Sequence, residues 1–173
     1  MESMSTVLMS ELSIDALTGV ASAAHLRSSL DAACVAADPL RQPLSVAMID
    51  VDHFAAFNER FGQPAGDCEL VRIARLIAGM SRPVDLVGRL RADRFVWLMP
   101  NTDAIAAADL VEDLRAAVQL NVPPQFELTV SIGFVTTWKQ SSSDELIAAV
   151  RLALQEAKGN GRNLVAMFRP AAL

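Results

Sequence analysis

Apolar and polar positions along this chain alternate in two rhythms, and the switches between them mark out the elements. Leu44-Ser-Val-Ala-Met-Ile49 is a short, nearly continuous apolar run bounded by a Pro39–Pro43 connector and by Asp50-Val-Asp-His-Phe54, the pattern of a buried strand. Leu86, Val87 and Leu90, then Phe95 to Met99, form two further runs folded back on each other, with Pro100 closing the second. Leu128 to Val135 and Leu164 to Phe168 complete a set of five predicted strands. Helical spacing governs the rest. An Ala/Leu-rich helix is predicted over 21–37, and Leu70, Ile73, Ala74 and Ile77 line one face of a helix over 67–80. Ala106, Leu110, Leu114 and Val118 do the same behind an Asn101-Thr-Asp103 cap, with Pro123 and Pro124 as breakers. Ser143-Asp-Glu-Leu opens the last helix with capping chemistry.

The element order β, αα, ββ, α, β, α, β predicts an α/β sandwich: a central five-stranded mixed sheet, made partly antiparallel by the hairpin and flanked by helices. The turn Arg91-Ala92-Asp93-Arg94 is unusual. It has no Gly or Asn for the positive φ that tight hairpins favour, so it is either a wider type I connection or a local rule broken at a site. Residues 1–14 read as a helical lead-in or linker stump, and 15–173 as one domain.

Composition narrows the functional classes. With 52% apolar and 20% charged residues and a net charge of −5, the 173-residue chain has enough apolar material for one ample core. Its acidic balance and scattered Lys and Arg argue against a nucleic-acid partner. No 18-residue apolar stretch or basic-start leader is present, so no membrane span is expected and the expected location is cytoplasmic. Cys34 and Cys68 lack metal-ligand spacing and read as small buried hydrophobes of a reducing compartment.

Five motifs, in order, resemble one family. Asp15-Ala-Leu-Thr-Gly19, Asp50-Val-Asp-His-Phe54 followed by Asn58 and Gly66-Asp67, the hairpin Arg89 to Phe95, Thr129-Val-Ser-Ile-Gly133 and Ala157-Lys-Gly-Asn-Gly-Arg-Asn163 are similar to the motifs of GGDEF domains. These are the diguanylate cyclases that join two GTP molecules into cyclic di-GMP. The resemblance spans about residues 15–168 and implies the nucleotide-cyclase-like sandwich. It assigns Asp50 and Asp93 to Mg²⁺, Asn58 and Asp67 to guanine, and Lys158 and Arg162 to phosphates.

Departures cluster at the chemistry. The signature Gly-Gly-Asp-Glu-Phe is here Arg91-Ala92-Asp93-Arg94-Phe95. A lysine after the Asp-x-Asp strand is replaced by Ala55, an aspartate on the final helix by Arg151 and a tyrosine by Gln155. The two glycines admit nucleotide where side chains now stand. Arg94 sets a guanidinium where a carboxylate faces metal, and like charges about 4 Å apart cost on the order of 4 kcal/mol at an effective dielectric near 20. The expectation is a degenerate domain with no catalytic residues and no required cofactor, a Mg²⁺ remnant at Asp50 and Asp93 staying open.

Arg82-Pro-Val-Asp85 keeps the spacing of the family's inhibitory Arg-x-x-Asp, which binds cyclic di-GMP, with Arg89 able to add a contact. An arginine fork suits phosphate or a guanine edge, and the carboxylate suits guanine N–H donors. The resemblance therefore implies a cyclic di-GMP receptor. Glu112-Asp113, where the family often has a helping arginine, is a departure. Two alternatives stand beside it: a protein-interaction module using Arg91 and Arg94 that binds no nucleotide, and a weak GTP- and Mg²⁺-dependent cyclase; a homodimer is compatible with each reading. The bland readings are that Asp50 and Asp52 cap the following helix, that Lys158 and Arg162 complement a helix C-terminus, and that Arg82 and Asp85 are a surface pair. No sensor module precedes the domain, so its input is expected from a signalling partner, or the chain is a piece of a longer protein.

Overall fold

The computed structural model describes residues 13–36, 42–123, 125–138 and 141–169. The lead-in expected over 1–14 lies outside them but for Ser13 and Ile14. Helix α1 (Ala23–Ala36) precedes β1 (Leu44–Val51), and α2 (Phe54–Phe61) and α3 (Gln63–Met80) follow it. The hairpin β2 (Leu86–Arg91) and β3 (Arg94–Pro100) leads to α4 (Ala104–Asn121), β4 (Val130–Thr137), α5 (Ser143–Gly159) and β5 (Val165–Met167). The five strands lie in the order β2-β3-β1-β4-β5, and the α/β sandwich is as expected. Antiparallel pairing extends beyond the hairpin to β1 with both its neighbours; β4 and β5 run parallel.

Every residue of β1 is buried because helices cover both faces of the sheet. Ala47, Ile49 and Val51 point into a core with α2, α3 and α4, through residues such as Phe57, Ile73 and Leu114. Val46 and Met48 point the other way, onto Leu26 and Leu30 of α1 and Val150 and Leu154 of α5. This period-two division decides which helices meet which strand face.

Local chemistry fixes the ends. The Asp103 carboxylate accepts from the Ile105 and Ala106 amides at 3.0 and 2.9 Å, and Ser142 with Glu145 forms a capping box at the start of α5. The buried stripe of α4 is Ala107, Val111, Leu114 and Val118, a shift from the predicted one: Ala106 is exposed and Leu110 half-buried. At Gly133 of β4, a Cβ would collide with the backbone of Val150 and Leu154, so the missing side chain lets α5 lie directly on the sheet. The hairpin turns at Ala92-Asp93 without positive φ at either residue. A register irregularity between Arg89 and Arg91 takes up the twist that a tight turn of this kind does not match.

Candidate functional site

Asp50 sits at the C-terminal end of β1 with 2% of its surface exposed. The antiparallel register with β3 places Arg94 directly opposite it. Arg94 donates from Nε at 2.9 Å and Nη2 at 2.5 Å to Asp50 Oδ2, and Lys158 of α5 donates to Oδ1 at 2.5 Å. One buried carboxylate thus holds two cations, one on each oxygen. Charge-assisted bonds of this kind are the strong ones, and here they tie β1, β3 and α5 together.

Asp52 is fully occupied in another way. Its carboxylate accepts from the Thr129 hydroxyl at 2.8 Å, the Ser131 hydroxyl at 2.7 Å and the Asn163 amide at 3.0 Å. Thr129 and Ser131 reach it together because residues two apart on a strand share a face. Neither aspartate caps α2, whose N-cap is His53, exposed and at φ 56° with no side-chain cap bond. Asp93 lies half-buried at the turn, and its carbonyl accepts from the Val51 amide at 3.1 Å. Among the described residues no three His, Cys, Asp or Glu side chains gather as a metal-holding group.

Asn58 and Asp67 flank the corner between α2 and α3. The Asn58 Oδ1 is buried without a hydrogen-bond partner and lies against Gly66, where any Cβ would strike it. Asp67 Oδ1 accepts from Gln63 Nε2 at 2.9 Å. Lys158 faces Asp50, whereas Arg162 is exposed on the turn after α5 at φ 64°. Cys68 is exposed beside this corner, contrary to the buried reading; Cys34 is buried as expected, and burial, then Asp31, raises its pKa.

At the start of β2, Asp85 has a fully buried side chain, and Arg82 is 42% exposed. Arg82 Nη2 donates to Asp85 Oδ1 at 2.8 Å, to the Pro100 carbonyl at 2.9 Å and to Thr102 Oγ1 at 2.5 Å. Trp97 Nε1 donates to Asp85 Oδ2 at 3.3 Å. The carboxylate therefore faces inward and positions the guanidinium, whose other side meets solvent. Trp97 is the partner that sequence reading missed; the apolar run Phe95 to Met99 placed it in a buried strand but could not say which acceptor its N–H would find.

Residues 12–164 match the family described as diguanylate cyclase, GGDEF domain. The chain belongs to the GGDEF family. It is 38% identical over 129 residues to diguanylate cyclase DgcM of Escherichia coli, covering 73% of this chain and 31% of that one. To diguanylate cyclase A of Treponema denticola it is 31% identical over 134 residues, covering 75% and 36%. It thus spans about a third of the length of these relatives. Among solved structures, the coiled coil and GGDEF domain of DgcB from Caulobacter crescentus, in complex with c-di-GMP, superposes with a TM-score of 0.90 at 25% identity, covering 94% and 88% of the two chains. Diguanylate cyclase SiaD of Pseudomonas aeruginosa, in complex with its activator SiaC, gives 0.85 at 27%, covering 94% and 65%.

In this GGDEF domain Arg89 is part of the frame around the hairpin. Its Nη1 donates to Asp15 Oδ1 at 3.1 Å and its Nε to the Ala92 carbonyl at 2.8 Å, and it is 13% exposed. Burial raises the pKa of Asp15, but the Thr18 hydroxyl and amide, then Arg89, outweigh it and leave the carboxyl below its ordinary value. Arg115 of α4 is the cation near Glu112: it donates to Glu112 Oε1 at 2.7 Å and to Asn163 Oδ1 at 2.7 Å. No helix among the described residues is long and apolar enough to cross a membrane.

Proposed function

We propose that this chain is a catalytically silent GGDEF domain of cyclic di-GMP signalling, a receptor that holds the dinucleotide at Arg82. Asp50 supports the silence. A divalent ion needs its oxygens, yet Arg94 and Lys158 take both and would stand as like charges beside the metal. The residues around Asp50 do not fit Mg²⁺. Arg91 and Ala92 add side chains at the turn where a nucleotide would approach the backbone.

The observation that carries the receptor reading is the Arg82 guanidinium. Asp85, Pro100 and Thr102 hold one side of it, so its solvent-facing side is presented in a fixed orientation to a phosphate or guanine edge. Arg82 is the contact residue in this reading and Asp85 positions it. Arg89, committed to Asp15, stays with the hairpin frame. The complex of the DgcB domain with c-di-GMP supports the same ligand class for this fold.

Calorimetric titration with cyclic di-GMP tests the proposal. Micromolar or tighter binding is expected, lost on Arg82→Ala in a protein whose melting curve shows it still folded. Absence of heat in the wild type overturns the receptor role. Incubation with GTP and Mg²⁺ is expected to release no pyrophosphate, and sustained release would overturn the silence.

A further inference from the structure

Arg91, Arg94 and Arg151, three of the departures noted in the sequence, converge with Lys158 on one cleft of about 540 Å³ between the hairpin turn and α5. Its lining contains these four cations, Gln155 and apolar side chains, and no carboxylate. Asp50 neutralises part of the charge from behind through Arg94 and Lys158. Arg91 and Arg151 are exposed, and among the described residues neither guanidinium makes an ion pair or hydrogen bond. Unpaired cations on two rigid elements, in a chain whose net charge is −5, form an electropositive patch against an acidic background.

The cleft does not end there. It continues past Ala148 and Arg151 into a second hollow of about 370 Å³ between α5, α1 and Leu90 of β2. That part is floored by Leu26 and Leu30, with Ile147 at its side and the Arg27–Asp144 pair at its far end. Leu152, 55% exposed, lines the basic part. From Asp144 to Lys158 the groove follows α5 for about 21 Å at 1.5 Å per residue. A single small anion fills only the basic part.

We infer that this groove docks an acidic segment of a partner protein, its carboxylates on Arg91 and Arg151 and its apolar side chains over Leu90, Ile147 and Ala148. The arrangement matches helix-in-groove recognition, where apolar anchors give affinity and charge gives steering and register. Arg94, held on Asp50, forms the wall of the groove and does not take part as a free contact. The site is independent of the dinucleotide reading, since Arg82 and Asp85 precede the first residue of β2 and Arg91 is its last.

The test is selection of a displayed random peptide library on the pure protein, with Arg91→Glu/Arg151→Glu as the comparison and thermal melts as the folding control. Enriched peptides are expected to carry Asp or Glu beside Leu, Ile or Phe. Their synthetic copies are expected to bind the double variant about tenfold or more weakly, and to weaken with added salt in the wild type. Peptides without acidic enrichment, or equal binding to both proteins, overturn the inference. So does tight binding of tripolyphosphate alone at Arg91 and Arg151 with no acidic peptide selected, which would make the groove a phosphate site. Cyclic di-GMP titration of the same double variant separates the two readings, because binding there depends on Arg82 and is expected to be unchanged.

Discussion

Asp50 is a buried carboxylate that carries one cation on each oxygen. A buried carboxylate requires hydrogen-bond donors or a counter-charge, and Arg94, placed opposite Asp50 by strand register, supplies both from within the chain. Removing the carboxylate by Asp50→Ala leaves Arg94 and Lys158 facing each other without a counter-charge. The expected cost is about 3–5 kcal/mol of unfolding free energy, read from urea denaturation. Asp15 makes a prediction of a different kind. Its carboxyl is held below the ordinary value of 3.8, so the stability it contributes is present above that value and is lost as pH falls through the lower folded-state pKa. Melting temperatures measured from neutral pH into the acid range are expected to fall less steeply for Asp15→Asn than for the wild type; parallel curves would show that the Arg89 and Thr18 contacts carry no pH-dependent stability.

Elements meet here at positions that sequence pattern marks only faintly. Gly133 is a strand glycine whose role is neither a turn nor positive φ but the contact of α5 with β4. Gly133→Ala is expected to push the helix off the sheet at a cost of about 1–3 kcal/mol, and more if the backbone cannot shift. Because Lys158 rides on that helix, the same change should loosen its bond to Asp50, which hydrogen exchange along α5 and β1 would report. The hairpin is the other informative element. The sequence lacks turn glycines, and the chain answers with a register irregularity in β2 and the Arg89 bonds to Asp15 and Ala92 that bind the turn to the N-terminal segment.

Across the whole molecule, β2 separates two positive surfaces. Arg82 presents one fixed guanidinium before the strand begins, and Arg91 with Arg151 forms the mouth of the α5 groove where it ends. Behind the groove, Asp50 ties β1 to β3 and α5 through Arg94 and Lys158. A ligand at Arg82 and a partner in the groove would therefore act on the same hairpin from its two ends, without sharing a contact residue.

Apolar periodicity and capping residues alone determined the strands, the helices and their order, because those signals are local: alternate residues share a strand face, and Asp103 or Ser142 bonds amides only a few residues on. The motifs likewise named the residues of interest, from Asp50 to Arg162. What they could not decide was which charges would meet. Asp50 and Lys158 are 108 residues apart, Asp15 and Arg89 are 74 apart, and Asp85 finds Trp97 only because the register of β2 with β3 sets Trp97 opposite Val87, two residues beyond Asp85 at the open end of the hairpin. Each pairing is chosen by strand register and helix packing, and a buried charge must take whatever partner that geometry brings within reach. For that reason the same aspartate can be read in the sequence as a metal ligand and stand in the fold as an anchor for Arg94 and Lys158.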